Sequence, residues 1–277
     1  MSPSQGPRKD VYTHGHQSAV VDQHRRRTAD DCAAFARGVI ETGMKILDVG
    51  CGPGSITAGL ARWVGDGSIT AIEPGGDILE TAAETLSAAG VDNVILDEAS
   101  VYELPYLDGS FDMAYAHQVL QHLTDPVAAL EEMRRVVRPG GHVAVRDADY
   151  YTMSGYPESE TIDRWRDVYR KVARHNDAQP DAGRYLYGWC RAAGLHEVTL
   201  SASVWWFTGE AKMNWAQSWA DRCLTTAFGQ QAIDYGYATL EEMEAIAAGW
   251  RSWSEDPDGY FHFIHTEALA QVQGDHP

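Results

Sequence analysis

A glycine-rich turn follows the first strongly apolar run of the sequence and is the clearest candidate for a ligand site. It reads Asp48-Val-Gly-Cys-Gly-Pro-Gly54, and glycines at alternate positions let the backbone turn tightly and approach a ligand closely. A loop that binds a dinucleotide diphosphate has the pattern G-x-G-x-x-G, whereas Ser55 takes the third glycine position here. The spacing therefore disfavours a bound diphosphate, and a purely structural turn is the alternative.

Acidic residues stand where the next two predicted strands end. Glu73 follows the strand over 68–72, and Glu98 with Ala99 follows the strand over 94–96. A carboxylate at the first position can accept from both hydroxyls of a ribose, and one at the second can accept from an adenine amino group. No basic cluster accompanies them, so we expect a ligand that carries adenosine and little negative charge. S-adenosylmethionine, which has a sulfonium and an ammonium group, fits this description.

These segments together resemble the class I S-adenosylmethionine-dependent methyltransferases, in the branch of the ubiquinone and menaquinone C-methyltransferases. The resemblance covers residues 40–147 and is specific as a set, far more than the glycine turn alone. The segments that carry it are Asp48-Val-Gly-Cys-Gly-Pro-Gly54, Glu73-Pro74, Glu98-Ala-Ser-Val-Tyr-Glu-Leu-Pro105 with Asp108-Gly-Ser-Phe-Asp112, and Leu130 through Arg138-Pro-Gly-Gly141.

The resemblance also implies which residues contact the cofactor. Many relatives read Gly-Asp-Ala where this chain has Asp97-Glu98-Ala99, which would shift the adenine contact by one methylene. Asp48 is expected behind the glycine turn, where it orients the backbone amides. The implied contacts are Gly50 and Gly52 with the methionine part, Glu73 with the ribose, Pro74 with the adenine edge, Glu98 and Ala99 with the adenine, His117 with the sulfur end, and Tyr12 with the methionine end.

Methyl transfer is an in-line displacement that needs positioning and, when the nucleophile carries a proton, a base. Alternation along the fifth strand puts Asp147 and Asp149 on one face at its substrate end, although an aspartate there is equally typical of a helix cap or an ion pair. His14-x-His16 has a metal-pair spacing, but no cysteine or carboxylate completes the set, so we expect no metal. The residues that we expect to serve catalysis are Tyr12, His16, His117 and Asp149, with His14, His122 and Asp147 as further candidate bases.

Alternating strands and helices must position these residues. The pattern predicts strands over Lys45–Val49, Ser68–Ile72, Val94–Leu96, Phe111–Tyr115 and His142–Arg146, with helices over Ser55–Val64, Asp77–Ala89 and Pro126–Val137 between them. This order predicts an α/β fold with a doubly wound, mostly parallel sheet, which the resemblance extends to seven strands. Further helices are predicted over 11–38, 158–175, 183–193, 210–228 and 240–253, and strands over 197–207 and 259–266.

Four regions follow from this order of elements. We expect an N-terminal tail and helical cap over 1–40 and the S-adenosylmethionine-binding core over 41–207. A helical lid over 208–258 is inserted between the last two strands. The final strand and tail of the core span 259–277.

Composition and charge narrow the partners. Lys and Arg total 22 against 40 Asp and Glu, and the formal net charge of −18 disfavours nucleic acid and anionic membranes. The basic run Arg25-Arg26-Arg27 is interpreted as a solvated helix face. The four cysteines form no C-x-x-C pair, and no segment has the character of a signal peptide or a membrane span, so a cytoplasmic protein is expected. A homodimer is compatible with the sequence.

The tryptophans suggest the kind of substrate. Of nine tryptophans, all but Trp63 lie beyond Asp147, in the half that contains the predicted lid. Such a stripe is more often core than pocket, but it also suits a flat aromatic substrate. The resulting hypothesis is a methyltransferase of secondary metabolism that acts on a small aromatic molecule, such as C3 of an indole in a tryptophan-derived metabolite. The alternatives are a quinone precursor or phenol, an NAD-dependent dehydrogenase, and a non-catalytic protein that kept the fold.

Overall fold

The computed structural model describes residue 10 and residues 25–274, which form one mixed sheet with helices on its two faces. Its strands are β1 Lys45–Val49, β2 Ser68–Glu73, β3 Val94–Glu98, β4 Phe111–His117, β5 Val137–Ala148, β6 Ser154–Tyr156, β7 Glu197–Phe207 and β8 Tyr260–Gln271. The α-helices are α1 Ala29–Cys32, α2 Ser55–Val64, α3 Gly76–Ala89, α4 Pro126–Val136, α5 Glu160–His175, α6 Leu186–Ala192, α7 Gly209–Thr225, α8 Ala227–Asp234 and α9 Leu240–Ser254.

The order of the strands places the carboxyl ends of β1, β2 and β4 at one edge. β3, β2, β1, β4 and β5 are parallel neighbours in that order, and β8 follows as an antiparallel strand. β7 pairs with β8 from the second residue of β8 to its end, and the short β6 pairs with the first three residues of β8. Successive strands are added on one side of β1 up to β3 and on its other side from β4 onwards. Open sheets of this type bind ligands at this switch point, between β1 and β4. The predicted doubly wound α/β fold is confirmed, with β6 as an additional short strand.

Local sequence signals account for most of these elements. α4 begins where the Asp125 side chain accepts from the Ala128 amide at 3.0 Å, with Pro126 in the first turn. α3 ends at Gly90, whose φ of +66° is the left-handed conformation that glycine adopts without strain. Strand ends were predicted too short, because β3 continues to Glu98 and β4 to His117. Pairing with the neighbouring strands extends β3 and β4 beyond the residues that the apolar pattern marked.

The region before β1 also differs from the prediction. Helices were expected over 11–38, and the described part contains α1 and a 3₁₀ helix at Ala34–Val39. This segment packs on the sheet, since the Tyr115 hydroxyl donates to the Cys32 carbonyl at 2.9 Å in a buried position. Residues 11–24 lie outside the described part of the chain. Across residues 25–274, no helix combines the length and apolar character needed to cross a membrane.

The tryptophan-rich half forms an aromatic core of its own. Trp165, Trp219 and Trp250 are fully buried, and the Trp165 ring lies 4.4 Å from Trp219 and 5.0 Å from Trp250. This core joins α5 to α7, α8 and α9 and packs against aromatic side chains of β8. The predicted helix over 210–228 is divided because Thr226 adopts an extended conformation between α7 and α8. The structure therefore supports the core interpretation of these tryptophans, which carry no argument about the substrate.

The buried Asp147 on β5 predicts a pH-dependent stability. Its Oδ1 accepts from the Gln121 amide at 3.2 Å, whereas Oδ2 meets no hydrogen-bond partner among the described residues. Burial raises the pKa of Asp147 to about 8, far above its unfolded value, so the folded state holds a proton that the unfolded state releases. This stabilising protonation is lost as the pH rises towards 8. The free energy of unfolding of Asp147→Asn, relative to that of the wild type, should rise by on the order of 3 kcal/mol from pH 5 to pH 8. Urea unfolding at the two pH values measures this change.

A carboxylate of opposite behaviour provides the control. Burial acts to raise the pKa of Asp112, but the Lys45 amide and the Arg138 guanidinium outweigh it and hold the pKa below its usual value. Asp112→Asn should therefore lose about the same stability at pH 5 as at pH 8, because Asp112 is ionised in both the folded and the unfolded state above its unfolded pKa of about 4. Equal pH dependence in the wild type and Asp147→Asn would contradict the assignment of a protonated Asp147.

Candidate active site

A cavity of about 290 Å³ opens at the carboxyl ends of β1, β2 and β4. Its lining includes Asp10 and Arg27 and residues from segments 48–56, 72–78, 99–102 and 115–123. No described residue of the segment 208–258 lines it, so a lid role for those helices remains a prediction. The cavity thus coincides with the ligand position expected for an open sheet of this topology.

The glycine turn is closed by its own hydrogen bonds. The Gly50 and Cys51 amides donate to the Ile72 carbonyl at 2.9 and 3.2 Å, and the Gly54 amide donates to the Cys51 carbonyl at 3.1 Å. Phosphate-binding loops instead direct consecutive amides at the anion. Because these amides already have partners, the turn is not a diphosphate cradle, as the G-x-G-x-G spacing predicted.

Gly50 also brings the backbone close to the chain after β4. Its φ is +69°, and a Cβ at this position would lie 2.4 Å from Cγ2 of Val119. Gly52 has a φ of +53°, and nothing would lie within 4 Å of its Cβ, so this part of the turn faces open space. A ligand can therefore rest directly on the backbone at Gly52.

Glu73 is the last residue of β2 and lines the cavity. Its Oε1 accepts from the Gly52 amide at 2.7 Å, which ties the strand end to the glycine turn. Burial raises the pKa of Glu73 to about 7, and the Gly52 amide partly offsets this effect. A carboxylate here has the position and charge to accept hydrogen bonds from the hydroxyls of a ribose.

Asp48 supports the turn from beneath. It is buried, and its Oδ2 accepts from the Thr57 hydroxyl at 2.7 Å. Burial raises the pKa of Asp48 to about 7, an effect that the Thr57 hydroxyl reduces. This contact secures the first turn of α2 on β1, whereas the sequence suggested that Asp48 orients the loop amides.

The end of β3 modifies the predicted adenine contacts. Ala99 lines the cavity, and its amide donates to the Glu73 carbonyl at 3.1 Å. Pro74, which follows the last residue of β2, also lines it. Glu98 belongs to the strand, is exposed, and is not among the lining residues. This side of the cavity is therefore lined by Pro74, Ala99 and Val101, and the adenine contacts, including the one from Glu98, remain predictions.

The other end of the cavity is formed by the chain that leaves β4. His117 is buried at the end of this strand, and Gln118 has a φ of +54°, a strained value for a residue with a side chain. His122 lies in the 3₁₀ helix Leu120–His122, where burial, assisted by the charge of Arg27, lowers its pKa to about 3. Both histidines line the cavity. His122 is therefore neutral and a very weak base at physiological pH.

The Asp149 side chain makes its contacts outside the cavity. Its carboxylate forms an ion pair with Arg184 at 2.8 Å and accepts from the Tyr151 amide at 3.1 Å. It caps the 3₁₀ helix Tyr150–Thr152 and is not among the residues that line the cavity. Asp149 is therefore a helix cap and an ion-pair partner, which was the alternative interpretation. The geometry does not support a catalytic role for it.

Other predicted and unpredicted residues complete the site. Tyr12, His14 and His16 lie outside the described residues. Arg27 lines the cavity although the basic run was interpreted as a solvated face. Val119 and Tyr102 also line it, and no spacing in the sequence marked them. For Arg27 the sequence did contain one signal, because Arg25-Arg26-Arg27 is a compact basic run in an otherwise acidic chain.

Comparisons with known proteins agree with this geometry. The family described as a methyltransferase domain matches residues 40–198, more than half of the chain. An uncharacterised methyltransferase of Schizosaccharomyces pombe is 34% identical over 260 residues, covering 90% of this chain and 92% of that protein. An O-methyltransferase of Pyrenophora dematioidea is 35% identical over 47% of this chain and 48% of its own length. The structure of a candidate methyltransferase from Bacillus halodurans has a TM-score of 0.61 at 19% identity, covering 88% of this chain and 100% of that chain, which shows a shared fold.

Proposed function

The chain belongs to the methyltransferase-domain family, and from this premise we propose that it methylates a small aromatic molecule with S-adenosylmethionine, at a phenol-type hydroxyl. The observation that carries the proposal is a cavity in which the glycine amides are already bonded and a half-buried carboxylate, Glu73, is held against the glycine turn. This combination suits a nucleoside attached to a cation.

The residues of the cavity fit the cofactor part by part. Glu73 is placed to accept from the ribose hydroxyls, and Pro74 with Ala99 borders the adenine position. The open space over Gly52 leaves room for the methionine part against the backbone. When bound, S-adenosylmethionine supplies a methyl carbon to the acceptor oxygen, whose proton passes to solvent, and the electron pair of the broken C–S bond remains on the sulfur of S-adenosylhomocysteine.

The acceptor end has an aromatic and apolar character. The Trp205 ring of β7 lies 5.9 Å from the His117 ring, and Val119 and Leu123 line the same end of the cavity. An aromatic acceptor can pack on such surfaces. The partial likeness to an O-methyltransferase supports a hydroxyl oxygen as the acceptor atom. The indole hypothesis lost its support when most of the tryptophans proved to be core residues.

A binding and turnover experiment tests the proposal. We expect calorimetry to detect binding of S-adenosylhomocysteine and no binding of NADH. A panel of phenols, quinols and indoles, incubated with S-adenosylmethionine, should give a product 14 Da heavier, the mass of one added CH₂, from a phenol or quinol. Methylation of indoles alone would overturn the hydroxyl assignment, and binding of NADH without S-adenosylhomocysteine would overturn the proposal as a whole.

A further inference from the structure

We propose that Arg146 fixes His117 in the tautomer that carries its hydrogen on Nε2, so that His117 serves the acceptor as a hydrogen-bond donor and not as a general base. The proposal rests on the proposed function for its reference to an acceptor. Its first part, the tautomer, concerns only this chain and stands independently.

The tautomer follows from the partner of the ring. His117 on β4 is the register partner of Arg146 on β5, and Nη1 of Arg146 lies 3.3 Å from Nδ1 of His117. A guanidinium can only donate, so the nitrogen that receives this bond has a lone pair and no hydrogen. In the neutral ring the hydrogen is then on Nε2. A ring protonated at both nitrogens would set two donors against each other.

Arg146 has little freedom to release this contact. The residue is fully buried, and its Nε and Nη2 donate to Glu267 Oε1 at 3.3 Å and to Ser203 Oγ at 2.9 Å. Ser203 and Ser201 in turn donate to the two oxygens of Glu267, each at 2.6 Å. Every polar group around the guanidinium therefore has a defined direction. A buried ion pair is a costly arrangement, and a network of this kind is better suited to orienting a group than to stabilising the fold.

The neighbouring rings hold the same arrangement. The Arg146 guanidinium lies 5.1 Å from the centre of the Trp205 ring, which also packs on His117. His265 on β8 is another titratable ring nearby, with its centre 5.9 Å from that of His117. Arg27 lies over the same Trp205 ring at 5.4 Å and lines the cavity. Since the Arg146 cation contacts His117 directly and Arg27 lies over the neighbouring Trp205 ring, a neutral ring that donates through Nε2 suits the charge of its surroundings.

The chemical consequence concerns the acceptor. A donor at the end of β4 can bond to an oxygen of the acceptor and hold it in line, which is a contribution to positioning. Removal of a proton from the acceptor, where one is required, then falls to another group or to solvent. Arg146 is a positioning residue in this scheme, because it acts through His117.

Nitrogen NMR tests the tautomer without any acceptor. Long-range ¹H–¹⁵N correlations of the ¹⁵N-histidine-labelled protein at pH 7, assigned with His117→Gln, should show His117 with a bare Nδ1 and a hydrogen on Nε2. Arg146→Met should change this pattern, and Arg146→Lys should restore it in part. The control is Arg170→Met, which removes an ion pair with Asp181 away from the cavity and should leave the pattern intact. A hydrogen on Nδ1 in the wild-type protein would refute the proposal even if Arg146→Met did not fold.

Kinetics tests the donor role. The amide nitrogen of glutamine can replace Nε2–H as a donor, so His117→Gln should lose no more than about tenfold in kcat, the size of one neutral hydrogen bond. His117→Ala should lose more kcat than His117→Gln does, and calorimetry with S-adenosylhomocysteine separates this loss from any change in cofactor binding. A general base predicts losses of about 10²–10⁴ in both variants and an altered pH profile, and that result would overturn the donor role. Absence of turnover in the wild type would count against the proposed function, while the NMR result would still decide the tautomer.

Discussion

Glu73→Ala should weaken the binding of S-adenosylhomocysteine by about 1–3 kcal/mol, which is roughly a 5- to 150-fold rise in Kd. The side chain lines the cavity and is held against the Gly52 amide at 2.7 Å, so it is oriented before a ligand arrives. Its loss removes an ionised acceptor from the ribose hydroxyls and also a contact that ties β2 to the glycine turn. Isothermal titration calorimetry at pH 8 measures the change directly.

The pH dependence of the same binding provides a second measurement. Because burial raises the pKa of Glu73 to about 7, the group is largely protonated at pH 6 and ionised at pH 8. The ribose hydroxyls donate to the ionised form, so affinity should rise across this interval in the wild type and stay level in Glu73→Gln. Glu98→Ala provides the comparison, because Glu98 is exposed and does not line the cavity. A loss in Glu98→Ala as large as that in Glu73→Ala would restore the adenine contact that the resemblance implied.

Gly50→Ala should destabilise the turn and with it the cofactor site. The φ of +69° costs a residue with a side chain about 1–2 kcal/mol, and the added methyl group would lie 2.4 Å from Cγ2 of Val119. Overlap of this kind adds about 1–3 kcal/mol when the neighbour cannot move fully. We expect a total loss of about 2–5 kcal/mol in the free energy of unfolding, together with weaker binding of S-adenosylhomocysteine.

A double substitution separates the two causes. Gly50→Ala combined with Val119→Ala removes the overlap and should recover that part of the loss, while the backbone strain remains. Gly75→Ala is the matched control, because Gly75 has a φ of −133° and nothing would lie within 4 Å of its Cβ. If Gly50→Ala proved as stable as Gly75→Ala, the close approach of the turn to Val119 would be wrong.

The sequence predicted the parts of the site that depend on short-range rules. An apolar run, a glycine turn and a helix pattern predicted β1, the turn and α2 with their observed bounds, because strand burial and turn chemistry act over a few residues. The position of Glu73 at the cavity could likewise be predicted, since the end of one strand in a parallel sheet lies beside the end of the next. The bounds of β7 were also predicted correctly.

Predictions that depended on the surroundings of a residue were less accurate. Alternation along β5 predicted that Asp149 faces the substrate, but Arg184, 35 positions away, forms an ion pair with it. The tryptophan-rich half was compatible with a core or with a substrate pocket, and it forms the core between α5 and the helices after β7. Pattern alone cannot separate these outcomes, because buried aromatic residues look the same in a core and in a pocket.

The network around His117 was decided by tertiary structure alone. Arg146 is 29 positions from His117, 57 from Ser203 and 121 from Glu267, and no spacing in the sequence relates them. The parallel pairing of β4 with β5 and the antiparallel pairing of β8 with both β5 and β7 bring these residues to one face of the sheet. The sequence determined which residue types stand at each strand end, and the strand register determined which of them meet. The reason is that side-chain hydrogen bonds form only over a few ångströms, between atoms that the fold has already brought together.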